Sequence, residues 1–428
     1  MASQQFSDDQ AASRNRPALQ IAIVTIVGLI IVCEVLKLWP AVILLIIAAI
    51  CFCIDRVINI RDVKFNVIDF SALIVFIADI VSCQLSSYKP NSFYALRESV
   101  FLFLFYCIVR FSVRREQQWV ALFWLISILG IILSGEAITR YYISSAELKS
   151  FGFTDIVSVK GQMSLSSIEV VTNKWVTIFL AFLPFPFILF LRFAKYEKAR
   201  WLFVVAALSM AYAALLSLSR GIYLAIISFA VVGTFLLSFY KILPVRRLII
   251  FNALMVLVLS VCLLPIAKPV ISTLGMFRTV SQKRSFEGRV SAWHASVEMA
   301  KTRPLFGVGP MNFAMRYIAF REDEERRELV GNPFNLFLHI LTERGAVGLA
   351  AYGFLFCSFF YASFRRVSRL INTSFKDCVL LLFVTSIVAS LIRDMSFSSI
   401  LTNKGLCLLL WFMFAISSQI VDLESESS

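Results

Sequence analysis

The chain is poor in the side chains from which soluble enzymes and metal centres are built. Of its 428 residues only 16% are charged, and only two, His294 and His339, are histidines. That is too few for a His-rich metal site. None of the nine cysteines lies in the long polar stretch from Lys268 to Gly345. All of them sit in or at the edges of apolar runs, which argues against disulfides and against a zinc site. No internal repeat or low-complexity tract appears, and apart from the acidity around Asp323 no outer segment carries an Asp-x-Asp pair. Metals and other cofactors are therefore not expected, and nucleic acid is not expected as a partner.

Apolar side chains are abundant. Hydrophobic residues make up 59% of the chain and the mean hydropathy is +0.81, which would leave a soluble protein with a greasy surface, so lipid is its main solvent. A helix needs about 20 apolar residues to cross the hydrocarbon of a bilayer. Read with a window of about 19 residues, the runs fall near 18 to 36, 39 to 54, 66 to 86, 97 to 113, 118 to 138, 174 to 192, 201 to 219, 222 to 241, 248 to 267, 346 to 364, 377 to 394 and 404 to 421. The expected fold is all-α, a polytopic transmembrane bundle of about a dozen spans, with the second and fourth runs short enough to be broken or tilted.

Basic residues in the short loops set the orientation. Arg56, Arg61 and Lys64, then Arg110, Arg114 and Arg115, then Arg192, Lys195, Lys198 and Arg200, then Lys241, Arg246 and Arg247, and finally Arg365, Arg366, Arg369 and Lys376 all fall on the side of the N-terminus. That side is cytoplasmic. The expected organisation is a cytoplasmic tail over 1–17, without a signal-peptide cleavage site, nine spans over 18–267, a large helical outer loop over 268–345, three spans over 346–421 and an acidic cytoplasmic tail over 422–428. A shorter outer loop runs from Arg140 to Lys174. The large loop is itself rich in charge, which the orientation rule allows for long loops, and Arg321 to Glu328 reads as an exposed charged helix.

Ionisable groups at membrane depth are candidates for function because burying them there is costly unless they are paired or hydrated. Glu34, Asp79, Glu136, Arg220, Arg393 and Asp394 qualify. Arg220, in Ser217-Leu-Ser-Arg-Gly221, reads either as a topological anchor in a tight outer turn or as a ligand-binding cation. Asp79 and Glu136 read as buried partners for arginines, and Arg393 with Asp394 as a local pair. In the outer loop, Glu287-Gly-Arg-Val-Ser-Ala-Trp293 opens a helical periodicity that runs through Val297 and Ala300 and stops at Arg303-Pro304. The glycines of Pro304-Leu-Phe-Gly-Val-Gly-Pro310 then permit close backbone approach to a ligand or another segment. A third stretch, Asn332 to His339 and on to Gly345, leads into the tenth span. On a helix Asn335, His339 and Glu343 share one face.

These stretches occur in an order that resembles the O-antigen ligase and polymerase family. The order is Ser219-Arg220-Gly221 at an outer helix start, Gly288-Arg289 with Trp293, Pro304-Leu-Phe-Gly-Val-Gly309, then Asn335 with nine residues before Gly345 and Gly348 three further on. The resemblance covers roughly 217 to 350. It implies a bacterial inner-membrane protein of the architecture called GT-C-like, with a large periplasmic loop. It also implies glycosyl transfer from an undecaprenyl-diphosphate-linked saccharide to a glycan or lipid acceptor, without a metal. Arg220 and Arg289 match the family's paired arginines that hold the donor diphosphate, a role suited to the guanidinium fork. The family places a His directly before the position of Asn335, where it is thought to activate the acceptor hydroxyl. This chain has Phe334 there. His339 or Glu343 is then the expected catalytic base, with Asn335 orienting the acceptor, although His339 could instead be an interfacial polar residue and Glu343 the partner of a nearby arginine. His294, next to Trp293, is a weaker alternative.

Within this resemblance the missing His favours a polymerase of surface or exopolysaccharide over a ligase joining glycan to a lipopolysaccharide core, and a flippase and chain-length regulator would be its partners. A polysaccharide transporter or flippase would instead show symmetric halves or matching broken helices, which the sequence lacks. An inactive relative that binds lipid-linked glycan is a third reading.

Overall fold

The structure, a computed structural model, describes residues 2–38, 40–58, 65–150, 177–193, 197–217, 219–246, 280–320, 330–369 and 374–422, with scattered positions between 248 and 260. The regular elements among them are helices: α1 (Ala2–Leu36), α2 (Ala41–Ile58), α3 (Val67–Gln84), α4 (Lys89–Ser112), α5 (Glu116–Ser150), α6 (Pro184–Arg192), α7 (Glu197–Leu215), α8 (Arg220–Phe239), α9 (Val280–Thr302), α10 (Phe313–Phe320), α11 (Leu336–Arg369), α12 (Phe375–Asp394), α13 (Ser399–Thr402) and α14 (Lys404–Asp422).

Eight of these are long and apolar enough to cross a bilayer: α1 from Leu19, α3, α4, α5 as far as Ala146, α8, α11 as far as Ser368, α12 and α14. The chain is a multi-pass, all-α membrane protein. The apolar runs near 39 to 54, 174 to 192 and 201 to 219 form the shorter helices Ala41–Ile54, Thr177–Arg192 and Trp201–Leu215. The run near 248 to 267, the outer loop from 151 to 174 and the acidic stretch 321–328 lie wholly or mostly outside the described residues. The tenth span was expected to begin at 346. Helix α11 begins earlier, at Leu336, where the Asn335 side-chain oxygen accepts from the Leu338 N–H at 3.1 Å. It is two helices joined at Gly345, whose backbone is not helical, and the second of them starts at the expected place.

The helices turn apolar side chains outward as lipid requires and enclose an apolar core in which a minority of polar side chains are also buried. Along α8, Leu224, Ile227, Val231 and Phe235 recur at helical spacing and are all more than half exposed. In the interior α11 packs along α3, α8 along α12, α4 along α14 and α5 along α7. At one end of the bundle six helices are locked by polar side chains. Arg110 of α4 donates from Nε and Nη2 to Asp69 of α3 at 2.9 and 3.0 Å and also pairs with Asp422 at the end of α14. Tyr106 and Ser418 donate to the same Asp69 oxygen at 2.5 and 2.7 Å. Gln419 receives the indole N–H of Trp119 from α5 and donates to the carbonyls of Val109 and Arg110. Arg366 of α11 meets Asp377 of α12 at 3.4 Å and the Ile420 carbonyl at 2.6 Å. The remaining features concern the opposite end.

Candidate functional site

At that opposite end α11 is broken. Gly345 has φ +69° and ψ −168° inside an otherwise helical run, a conformation natural only to glycine. The break frees carbonyls before it and N–H groups after it, and the glycine-rich segment saturates both. Val308 and Gly309 donate to the carbonyls of Thr342 and Glu343, each at 2.9 Å, while Ala346 and Val347 donate to the carbonyls of Pro304 and Leu305 at 2.8 and 3.1 Å. The two backbones lie antiparallel and so close that a Cβ on Gly345 would come within 2.3 Å of the Leu305 carbonyl carbon, and one on Gly307 within 2.4 Å of that of Glu343. The glycines of Pro304–Pro310 thus serve another chain segment, and not a ligand directly. Ser82 of α3 adds its hydroxyl to the carbonyls of Phe306 and Glu343.

This seam carries a small second core. Ala292, Ala295 and Met299 of α9 meet Val308 and Phe313 and Tyr317 of α10, with Phe334 packed against them. The helix α9 ends at Thr302, where the Arg303-Pro304 stop was expected.

A chain of buried charges runs beneath the seam. Arg344 donates from Nε to Asp79 at 2.6 Å, Ser99 donates to the other Asp79 oxygen at 2.6 Å, and Glu343 stands 3.5 Å from Arg344 Nη1. Glu343 Oε1 accepts the Phe313 N–H at 3.1 Å, and its Oε2 lies 3.3 Å from His339 Nε2. His339 and Glu343 are 5% and 3% exposed, and His339 Nδ1 is buried with no hydrogen-bond partner. Glu343 therefore pairs with the nearby arginine that the sequence left open for it. Asp79 is a buried arginine partner as expected. Glu136 also pairs with an arginine, Arg140 at 2.8 Å, but the pair is not buried, since it lies one helical turn apart on an exposed face of α5.

A cluster of arginines lies beside this seam. Arg220 opens α8, where the positive end of the helix dipole adds to its charge. Gly221 behind it is small enough to rest on Phe397, since a Cβ there would stand 3.1 Å from Phe397 Cε2 and 3.8 Å from Arg393 Cγ. Phe397 is flanked by two guanidinium groups, Arg289 at 5.1 Å and Arg393 at 4.8 Å from the ring centre. Arg393 pairs with Asp394 at 3.2 Å, the local pair the sequence suggested, and donates to Ser399 Oγ at 2.5 Å. Burial, and then repulsion from Arg220, hold Arg289 below the ordinary proton affinity of an arginine. The structure thus sets Arg289 and the start of α8, which Arg220 opens, against the same Phe397 ring, although the two arginines are separated in sequence by some seventy residues. Asn335 reaches the same place: besides capping α11, its Nδ2 donates to the Met395 carbonyl at 3.1 Å. His294 is on the exposed side of α9. Among the described residues no three His, Cys, Asp or Glu side chains gather in a way that could hold a metal.

Residues 205–353 match the O-antigen ligase family. The chain carries an O-antigen ligase region. That region, about a third of the sequence, runs from α7 through the broken part of α11 and so contains Arg220, Arg289, the seam, His339 and Glu343. No curated protein matches the chain. Phe397 and Arg393 lie beyond the matched O-antigen ligase region. Nothing in the sequence marks Phe397, an apolar residue in a turn between apolar helices, and only its position in space ties it to the arginines.

Proposed function

We propose that the chain is a bacterial inner-membrane glycosyltransferase that takes an undecaprenyl-diphosphate-linked saccharide as donor at the periplasmic face, with Arg220 and Arg289 holding the diphosphate. The supporting observation is the approach of these two cations at one end of the bundle, next to the seam. Two guanidinium groups supply N–H donors matched to phosphate oxygens, and they stabilise the charge that grows on the leaving diphosphate as the sugar's anomeric bond breaks. The acceptor hydroxyl must lose its proton as the new bond forms. His339 is the residue best suited to take it. With its Nε2 facing Glu343, the imidazole keeps Nδ1 as a lone-pair acceptor, and because Nδ1 is buried the acceptor hydroxyl reaches it only when the side chains that cover it part. Glu343, already bonded to Phe313 N–H and close to Arg344, orients the base and is not free to act as one.

The family match favours a ligase, which moves the glycan to a lipid-core acceptor. This replaces the sequence-based preference for a polymerase. The polymerase remains a second reading because Phe334 stands at the family's His position. Purified full-length protein incubated with undecaprenyl-diphosphate-linked saccharide and either a lipid-core acceptor or a second lipid-linked unit separates them: a glycosylated core supports the ligase and a lengthened lipid-linked chain the polymerase. Absence of product with both, in protein that binds the donor, would leave an inactive relative.

A further inference from the structure

Arg289 is held in an unusual way for a half-buried cation. A guanidinium in such a place ordinarily leans on a carboxylate, which occupies two of its five N–H groups and cancels its charge. Arg289 has two aromatic rings instead, Phe334 with its centre 5.5 Å from Cζ and Phe397 at 5.1 Å. No ion pair joins it to an acidic residue among those described, and Arg220 is the one charged neighbour that shifts its proton affinity.

The two rings come from distant segments that are pinned to each other. Asn335 Nδ2 donates to the Met395 carbonyl at 3.1 Å, and Ser398 Oγ donates to Asn332 Oδ1 at 3.2 Å, so the loop carrying Phe334 and the turn carrying Phe397 are fastened on both sides of the rings. Phe334 adopts φ +51°, a left-handed conformation rare for a non-glycine residue. Its N–H donates to Asn332 Oδ1 at 2.9 Å, which fixes the turn in that shape. Strain of this kind persists where the surroundings over-determine it, and such places are often functional. The Phe397 ring also meets Arg393, 4.8 Å from its centre and itself tied to Asp394 and Ser399.

We propose that Phe334 and Phe397 are positioning residues that clamp the Arg289 guanidinium between aromatic rings, so that its charge and its in-plane N–H groups stay available to the donor diphosphate. The ring quadrupoles attract the cation through their faces and consume none of its hydrogen-bond donors. The proposal rests on the diphosphate-site reading above. It gives a role to the residue at which this chain departs from its family: Phe334 anchors the phosphate-binding cation, and proton removal falls to another group.

The test is binding of farnesyl diphosphate to the purified full-length chain, by wild type, F334L, F397L, F334Y, F397Y and R289A, and by F334L and F397L combined with R289A. Each leucine variant should weaken binding by roughly fivefold, the scale of a cation–π contact, while the tyrosine variants bind like wild type. In the R289A background the leucine substitutions should have no further effect, which a general loss of packing would not reproduce. Leucine variants that bind like wild type while R289A is weakened would overturn the clamp alone, and so would leucine effects that persist undiminished without Arg289. If F397L fails to fold, F334L carries the same comparison. R289A binding like wild type would overturn the diphosphate site and the clamp with it.

Discussion

Arg344 donates its Nε to Asp79 at 2.6 Å across the interface of α11 and α3, with both side chains almost fully buried. The pair sits directly before the Gly345 break and is a charged tie between the seam and the bundle, beside the hydrogen bonds of Ser82. Removing one partner strands the other charge at low dielectric, at a cost of about 3–5 kcal/mol. Arg344→Ala and Asp79→Ala should each lower the thermal unfolding temperature of the detergent-solubilised protein sharply. Asp79→Leu combined with Arg344→Met should recover part of the loss, since the Asp79 charge goes with its partner while Glu343 gives up Arg344 and keeps the Phe313 N–H and His339.

Gly345→Ala should be as damaging for a different reason. The new Cβ would meet the Leu305 carbonyl carbon at 2.3 Å, and the φ of +69° disfavours any side chain. Gly307→Ala faces the same two obstacles, whereas at Gly331 nothing lies within 4 Å. Yield of monodisperse protein should collapse for the first two and stay at wild-type level for Gly331→Ala.

Much of this end of the molecule was legible in the sequence, because glycines with unusual backbone demands and arginines at helix starts leave local marks. Gly307 and Gly309 announced close backbone approach, and the stop at Arg303-Pro304 placed the end of α9. That the glycine segment serves α11 and no ligand was not legible, because the partner lies more than thirty residues away and touches it through backbone atoms that any sequence possesses. The first helix of α11, before the Gly345 break, reads as part of the outer loop because Thr342, Glu343 and Arg344 end a hydropathy window, although their polar groups are satisfied inside the protein. Phe397 was invisible for the opposite reason: its apolar ring looks like one more lipid contact.

His339 and Glu343 differ in what they should do to turnover. His339→Ala should reduce product formation by about a hundredfold to ten-thousandfold, the usual contribution of a positioned base, with farnesyl diphosphate binding unchanged. Glu343→Gln keeps only one acceptor oxygen for two donors, so with Phe313 N–H bonded its amide NH2 faces His339 Nε2 and favours the opposite imidazole tautomer, and it should cost about a hundredfold in kcat. Steady-state kinetics beside binding measurements check both. Normal turnover in His339→Ala would remove it as the base and turn attention to His294.

The arginine cluster and the Arg110–Asp69 lock lie at opposite ends of the bundle, so the side of the membrane that each faces can be read by labelling. In whole cells and a background without native cysteines, Met315→Cys, exposed on α10, should react with an impermeant maleimide. Arg365→Cys, exposed near the end of α11, should react only after permeabilisation. The reverse pattern would put the cluster on the cytoplasmic side.

The shared diphosphate site is tested most directly by a double-mutant cycle on Arg220 and Arg289, read as the affinity of the full-length protein for farnesyl diphosphate. Each alanine substitution should weaken binding by about tenfold to a hundredfold, the scale of hydrogen bonds to a charged group. Because the two guanidinium groups address one ligand and repel one another when it is absent, the double variant should bind more tightly or more weakly than the product of the single effects by a measurable factor. Wild-type affinity in either single variant, or strictly multiplicative losses, would contradict a site built by both.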